Sequence, residues 1–221
     1  MFTIAIDGAM ATGKGTIAKN IANKLNFKVL DTGAIFRGIA CSFVDAGYED
    51  MNENIIDEFV KTLKVEVKFI DDVQHVFANG EDKTANLRTE KTSQMASKVS
   101  VYPKIREFMN EVARAFAKEN NCVVEGRDIA TVVLPNADVK FFFTAEPEVR
   151  ARRRYEQLLA SGKEADYEVV YKDMMERDAR DSNREVAPLK PAEDSIILDN
   201  SKQTPEETLE ECLKVIRKKM K

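Results

Sequence analysis

The densest concentration of potential chemistry lies near the start of the chain, in FTIAIDGAMATGKGT over residues 2–16. An apolar run ends at once in a stretch of glycines, a lysine and a threonine. Gly8, Ala9, Met10, Ala11, Thr12, Gly13 and Lys14 have the G-x-x-x-x-G-K spacing of a phosphate-binding loop. The flanking pattern predicts a strand before it and a helix after it, which is the context such a loop requires. Gly8 and Gly13 permit the tight turn, and its backbone N–H groups point inward at phosphate oxygens. The positive end of the following helix adds to the attraction, and Lys14 is long enough to reach the outer phosphates. Gly15 stands where many such loops carry a hydroxyl, so a metal contact there falls to Thr16, directly or through water. The ATP-binding set expected from the loop is Gly8 to Thr16.

A second group of charges lies late in the chain. Seven of the 13 arginines fall between Arg150 and Arg184, interleaved with acids. Arg177, Asp181 and Arg184 are spaced i, i+4 and i+7, which on a helix places them on one face. An intrahelical ion pair would explain Arg177 and Asp181 alone. Two arginines flanking one carboxylate suit a phosphate beside a sugar better, because guanidinium binds phosphate bidentately and stays charged.

The elements that must position these residues can be read from periodicity. Residues 2–6, 27–31, 121–125, 138–144 and 195–199 read as short buried strands, and helices are predicted between them. Lys14 to Leu25 carries Ile17, Ile21 and Leu25 on one face. A helix is predicted from Gly33 to near Gly47, and another over 52–63 with Asn52 or Asn54 as its cap. Residues 65–70 and 74–79 around a DDV turn read as a hairpin, and 79–90 as a polar loop. Glu90 to Asn120 is helical with a break at Pro103. Two charged helices, about 147–160 and 164–183, follow the fourth core strand. Thr204, Pro205 and Glu207 mark the start of the last helix.

Strands alternating with helices predict an α/β fold, a three-layer sandwich around a five-stranded parallel sheet. One phosphate-loop domain over 1–221 is expected, with inserts at about 64–100 and 150–184. Ligands in such sheets bind beyond the carboxyl ends of the strands, where the motifs fall.

Whole-chain properties narrow the function classes. A net charge of −4 argues against broad binding to nucleic acid or membrane surfaces. No apolar run approaches the roughly 20 residues of a membrane span. No signal peptide is recognised, and Cys41, Cys122 and Cys212 are scattered without metal-ligand spacing, so a reducing cytoplasm is expected. The single histidine, His75, sits in the predicted hairpin and is read as structural.

The G-K-G-T ending resembles the nucleoside monophosphate kinases. Four further segments narrow the likeness: Asp31-Thr-Gly-Ala-Ile-Phe-Arg37; Ser97 with Tyr-Pro-Lys-Ile-Arg106; Glu125-Gly-Arg127-Asp128-Ile-Ala-Thr131; and Arg177-Asp-Ala-Arg180-Asp181-Ser-Asn-Arg184 leading to APL at 187–189. In this order, over nearly the whole chain, they resemble the bacterial cytidylate kinases, and the 65–100 insertion matches the longer bacterial form. The resemblance implies a monomeric enzyme that moves the γ-phosphate of ATP, with Mg²⁺, to CMP or dCMP. It implies Arg37, Arg127 and Arg184 on the acceptor phosphate, Arg177 and Asp181 at the ribose with Thr32 nearby, and Ser97, Arg106 and Asp128 reading cytosine. Arg150, Arg153 and Arg154, with Arg177 and Arg180, are expected to form a lid over the phosphates. Lys14, Arg127, Arg153, Arg177 and Arg180 are the catalytic set. Phe36, Lys104 and Ala130 depart from the residues frequent in the family. Phe36 keeps ring packing without a hydroxyl, and Ala130 in place of glycine is expected to stiffen its loop.

Two rival readings remain at this point. One is another small-molecule phosphate-loop kinase, acting on UMP, AMP or a shikimate-like acceptor. The other is a nucleotide-binding switch or RNA-binding module without turnover. Net acidity, the lack of an N-K-x-D motif and the lack of an aromatic RNA-binding pattern weigh against the second.

Overall fold

The computed structural model describes residues 1–48, 51–71, 73–87 and 89–220, without the side chain of Glu90. Asp72 of the expected hairpin turn and Arg88 of the expected polar loop lie outside the described residues. The elements run β1 (Thr3–Gly8), α1 (Lys14–Leu25), β2 (Lys28–Asp31), α2 (Thr32–Asp45), α3 (Glu53–Thr62), β3 (Val65–Ile70), β4 (Val73–Ala78) and β5 (Glu81–Asp82). They continue with α4 (Glu90–Val99), α5 (Pro103–Glu119), β6 (Cys122–Gly126), β7 (Val139–Thr144), α6 (Pro147–Ala160), α7 (Tyr167–Asn183), β8 (Ile196–Asp199) and α8 (Pro205–Lys219).

Five strands form one parallel sheet in the order β2-β6-β1-β7-β8. The fold is α/β, as expected. β1 is flanked by β6, with Ile4 opposite Val123, and by β7, with Ile6 opposite Phe141. Ile4, Ala5, Ile6, Val123, Val124, Phe141 and Phe143 are fully buried. These strands therefore read as continuous apolar runs, because helices exclude water from both faces of a parallel sheet.

The chain divides into two units, Met1 with Lys28–Asn120, and Phe2–Phe27 with Asn121–Lys221. The second unit holds β1, β6, β7 and β8 together with α1, α6, α7 and α8. The carboxyl ends of its strands carry Gly8, Gly126, Thr144 and Asp199.

The first unit packs around α2. Ile35, Ile39 and Phe43 are fully buried on that helix, and the Phe43 ring meets Phe59 of α3 edge-on at 5.1 Å. Val76 of β4 lies so near Gly38 that a Cβ there would be 2.5 Å from Val76 Cγ1. Gly38 is thus demanded by close packing.

Where the structure differs from the expected elements, local chemistry explains it. The stretch 79–90 is not all loop: Glu81–Asp82 adds a third strand to the hairpin, and Thr84–Asn86 forms a 3₁₀ turn. The Asp82 carboxylate accepts from Thr84 N at 2.9 Å and pairs with His75 Nδ1 at 2.8 Å. The Thr84 hydroxyl and His75 hold that carboxyl down at about 2. His75 is a strut of this small sheet, as its structural reading implied. The helix after Gly33 begins at Thr32, because Asp31 caps it through Ala34 N at 2.9 Å. Asn52, not Asn54, caps α3. The second charged helix starts at Tyr167 rather than near 164, since Asp166 accepts from Val169 N. Thr204 and Glu207 form the expected capping box.

Candidate active site

β1 delivers the phosphate loop. The approach is tight: a Cβ on Gly8 would sit 2.6 Å from the Phe143 carbonyl oxygen on β7. Ala11 and Gly13 adopt left-handed backbone, with φ of 60° and 83°. Gly13 is the N-cap of α1, yet no side chain caps that helix. A helix N-terminus without a capping side chain is open to an anion, which its N–H groups and dipole favour. The Ala9 carbonyl accepts from both Thr12 Oγ1 and Lys14 Nζ at 3.1 Å, folding the lysine back over the loop.

The structure also gives a reason for Gly15. A Cβ at this position would lie 2.7 Å from Glu125 Oε1, so the carboxylate at the end of β6 occupies the space a serine would need. Thr16 follows on the exposed side of α1.

Immediately after β6, Arg127 and Asp128 meet the end of α7. Arg127 Nε donates to Asp181 Oδ2 at 2.9 Å, and Arg184 Nη2 donates to Asp128 Oδ1 at 3.3 Å. Both carboxylates are buried. Burial pushes the Asp181 carboxyl up, but the Arg127, Arg177 and Arg184 guanidiniums outweigh it and hold it below the ordinary carboxylate range. Burial likewise pulls Arg127 down, and Asp181 more than reverses this. The chain thus brings together Arg127, Asp128, Arg177, Asp181 and Arg184 from segments some fifty residues apart in sequence.

One detail of the helical-face expectation is corrected. Arg177 and Asp181 lie on α7, but the helix ends at Asn183 and Arg184 has extended backbone. The segment 187–189 then folds back. Leu189 N donates to the Asp181 carbonyl at 2.8 Å, and the Ala187 carbonyl accepts from Arg184 Nε at 2.6 Å. Arg184 is aimed by this return, not by helical periodicity.

The expected lid arginines have divergent surroundings. Arg150 is buried, donating to the Ala145 and Met10 carbonyls at 3.0 and 3.2 Å and pairing with Asp178. Asp178 in turn accepts from Met10 N at 3.5 Å. Arg153 donates to Asn200 Oδ1 and Asn200 O, each at 2.9 Å. Arg154 pairs with Gln157 at 2.9 Å. Arg177 Nη1 lies 3.7 Å from Met10 Sδ, and Arg180 is exposed on α7.

The remaining predicted residues lie in the first unit. Asp31 both caps α2 and holds Arg37 Nη2 at 2.8 Å. Arg37 Nε is buried without a hydrogen-bond partner among the described residues. Thr32 is buried as the first residue of α2. Arg106, also buried, donates to the Ser100 carbonyl at 3.0 Å, and Ser100 Oγ donates to the Ser97 carbonyl at 3.0 Å, linking Ser97 with Arg106. The Arg106 guanidinium lies 5.4 Å from the Phe36 ring centroid, so the ring contact survives without a hydroxyl.

Four contributors carried little sequence signal. Asp7 accepts from Ile129 N and Ala130 N at 2.8 Å, fixing a π-helical turn over Ile129–Val133 behind Arg127 and Asp128. An acid inside an apolar strand was its one visible mark. Gln74 brackets Asp31, accepting from its N–H at 2.7 Å and donating to its carbonyl at 3.2 Å. Asp178 and Asn200 act across long sequence separations. Ala130, for its part, needs no left-handed backbone and is buried against Asp7's turn, so glycine is not required there.

The family model for cytidylate kinase matches residues 4–218. A cytidylate kinase of Carboxydothermus hydrogenoformans is 40% identical over 216 residues, covering 98% of this chain and 97% of that protein. One from Vibrio cholerae is 39% identical over 217 residues, covering 98% and 96%. A solved chain from Eubacterium ventriosum, described as an uncharacterized protein, shares the fold at 14% identity and a TM-score of 0.52, covering 98% and 99%. The chain belongs to the cytidylate kinase family.

Proposed function

We infer that the protein transfers the γ-phosphate of ATP to CMP or dCMP, giving ADP and CDP or dCDP. The observation that carries this reading is the pairing, within one unit, of an uncapped phosphate loop with the buried Arg127–Asp181 and Arg184–Asp128 ion pairs. A donor triphosphate and an acceptor monophosphate are both anionic, so bringing them together requires fixed cations on each.

In this mechanism the loop from Gly8 to Thr16 cradles the donor's phosphates and Lys14 neutralises the outer ones. Arg37, Arg127 and Arg184 hold the acceptor phosphate. The buried, unpartnered Nε of Arg37 supports its part, since a buried donor left unpaired is costly and an anion relieves it. Arg177 and Asp181 orient the ribose beside Thr32, and Ser97, Arg106 and Asp128 read cytosine. Asp128 can accept from the exocyclic amine of cytosine, which uracil lacks. Phosphoryl transfer needs positioning and charge stabilisation more than covalent help, so no nucleophilic side chain is required. Arg153 and Arg180, on α6 and α7, close over the phosphates and exclude water as the lid.

Mg²⁺ accompanying ATP would supply positive charge that offsets the negative charge of the transferring phosphates. The oxygen donors near the loop fit such an ion: the Thr16 hydroxyl, and Glu125 beside Gly15. Thr16 is the residue to hold it, directly or through water. The protein acts as a monomer in the cytoplasm, without nucleic acid or membrane partners. Among the described residues no helix is long and apolar enough to cross a membrane.

Initial rates of the purified protein with ATP and CMP, dCMP, UMP, AMP or shikimate test the assignment. CMP and dCMP are expected to lead. A strong preference for AMP or shikimate, or no turnover of any acceptor, would overturn it.

A further inference from the structure

We propose that Asn200 is a positioning residue that sets the direction of the Thr12–Gly13 peptide, and with it the Gly13 N–H, in the phosphate loop. Asn200 follows β8 and is 3% exposed. Its Nδ2 donates to the Thr12 carbonyl at 2.8 Å. In a trans peptide the carbonyl oxygen and the next N–H point to opposite sides. Holding the Thr12 carbonyl toward Asn200 therefore turns the Gly13 N–H away from it. Gly13 is where this matters most, because glycine at a φ of 83° has little steric resistance to a peptide flip. The nearest atom to a Cβ built on Gly13 is Asn200 Nδ2 itself, at 3.8 Å, so the amide lies alongside the residue whose N–H it orients.

Asn200 is fixed through both its backbone and its side chain. Its backbone N–H donates to the Thr144 carbonyl at 3.1 Å, and its carbonyl accepts from Arg153 Nη2 at 2.9 Å. Arg153 Nη1 donates to Asn200 Oδ1 at 2.9 Å. That bond decides which way round the amide sits: guanidinium can only donate, so the oxygen must face Arg153 and the NH₂ must face Thr12. Before it, Asp199 Oδ1 accepts from Ser201 N at 2.9 Å and from Ser201 Oγ, and Ser201 Oγ accepts from Glu146 N at 2.8 Å, closing the turn that presents Asn200. Arg153 therefore also positions the loop, through Asn200, in addition to any contact with phosphate. Asparagine is required for this relay, since aspartate would keep the arginine but present an acceptor to the Thr12 carbonyl.

The inference rests on the loop's binding the phosphates of ATP, and the test separates the two. Calorimetric titration of the whole protein with MgADP, and separately with CMP, is compared for wild type, Asn200→Asp and Asn200→Ala. Asn200→Asp is expected to weaken ADP binding about tenfold or more, the loss of one hydrogen bond to a charged phosphate. Asn200→Ala, which leaves the peptide unheld but not repelled, should weaken it less. CMP affinity should stay within about twofold in both, which a general loss of packing would not allow. In the wild type, a through-hydrogen-bond scalar coupling between Asn200 Nδ2 and the Thr12 carbonyl carbon is expected by NMR, so the geometry is checked even if a variant fails to fold. Wild-type protein that binds no ADP would remove the nucleotide reading itself. Unchanged ADP affinity in Asn200→Asp, or absence of that coupling, would overturn the role of Asn200 alone.

Discussion

At the scale of single residues, this site is organised by carboxylates that have been taken out of water. Asp7 is the clearest case. Burial pushes its carboxyl up to about 6, although the Ile129 and Ala130 N–H groups pull the other way. The native protein therefore holds a proton on Asp7 more tightly than the unfolded chain does. Its contribution to stability is fully present below about pH 4 and is lost as pH rises through about 6, amounting to up to about 3 kcal/mol. Carboxyl-carbon NMR is expected to place the Asp7 midpoint near 6, and a midpoint near 4 would contradict this account. Asp128 gives a second residue-scale prediction. In Asp128→Asn the Arg184 contact keeps an acceptor oxygen, so the amide's NH₂ is turned to the base. The ratio of kcat/KM for CMP over UMP should fall by about 5- to 150-fold, the worth of one good base-edge pair. An unchanged ratio would assign cytosine reading to other residues.

At the scale of elements, the close approach of α2 to β4 leaves little space for change. Alanine in place of Gly38 would gain roughly 1 kcal/mol of helix propensity. Its methyl would also meet Val76 Cγ1 at 2.5 Å, and Val76 is fully buried. Overpacking of this kind costs about 1–3 kcal/mol, so Gly38→Ala is expected to be neutral to about 2 kcal/mol destabilising by urea titration. A gain in stability would mean that helix and strand can separate freely. The strands and the capped helices were legible beforehand because period and cap chemistry are local: Thr204 and Glu207 are three residues apart, and a buried parallel strand advertises itself as an apolar run. β5 was not legible. Two exposed acids, Glu81 and Asp82, have no strand preference of their own and pair only because β4 lies alongside.

At the scale of the whole molecule, the cysteines offer a report on each unit. Cys41 lies in the first, Cys122 and Cys212 in the second, and all three are buried free thiols. Burial raises the Cys41 thiol and pushes Cys122 and Cys212 up to about 12, so none should react with a thiol reagent at neutral pH in the native protein. Under increasing denaturant, mass-resolved labelling is expected to expose Cys122 and Cys212 with one shared midpoint, since β6 and α8 belong to one unit. Separate midpoints would show that this unit does not unfold cooperatively. What the amino-acid sequence determined unaided was the set of groups and their chemistry: a glycine-lysine loop between a strand and a helix, and arginines with carboxylates at helical spacing. Those features depend on neighbours within a few residues, where backbone geometry is nearly constant. The tertiary structure alone decided which carboxylate faces which arginine, that Arg184 is aimed by the return at Ala187, and that Asn200 lies against Thr12, 188 residues away. Such pairings follow from how buried strands stack and loops return, and a desolvated polar group must then bond whatever the fold sets beside it.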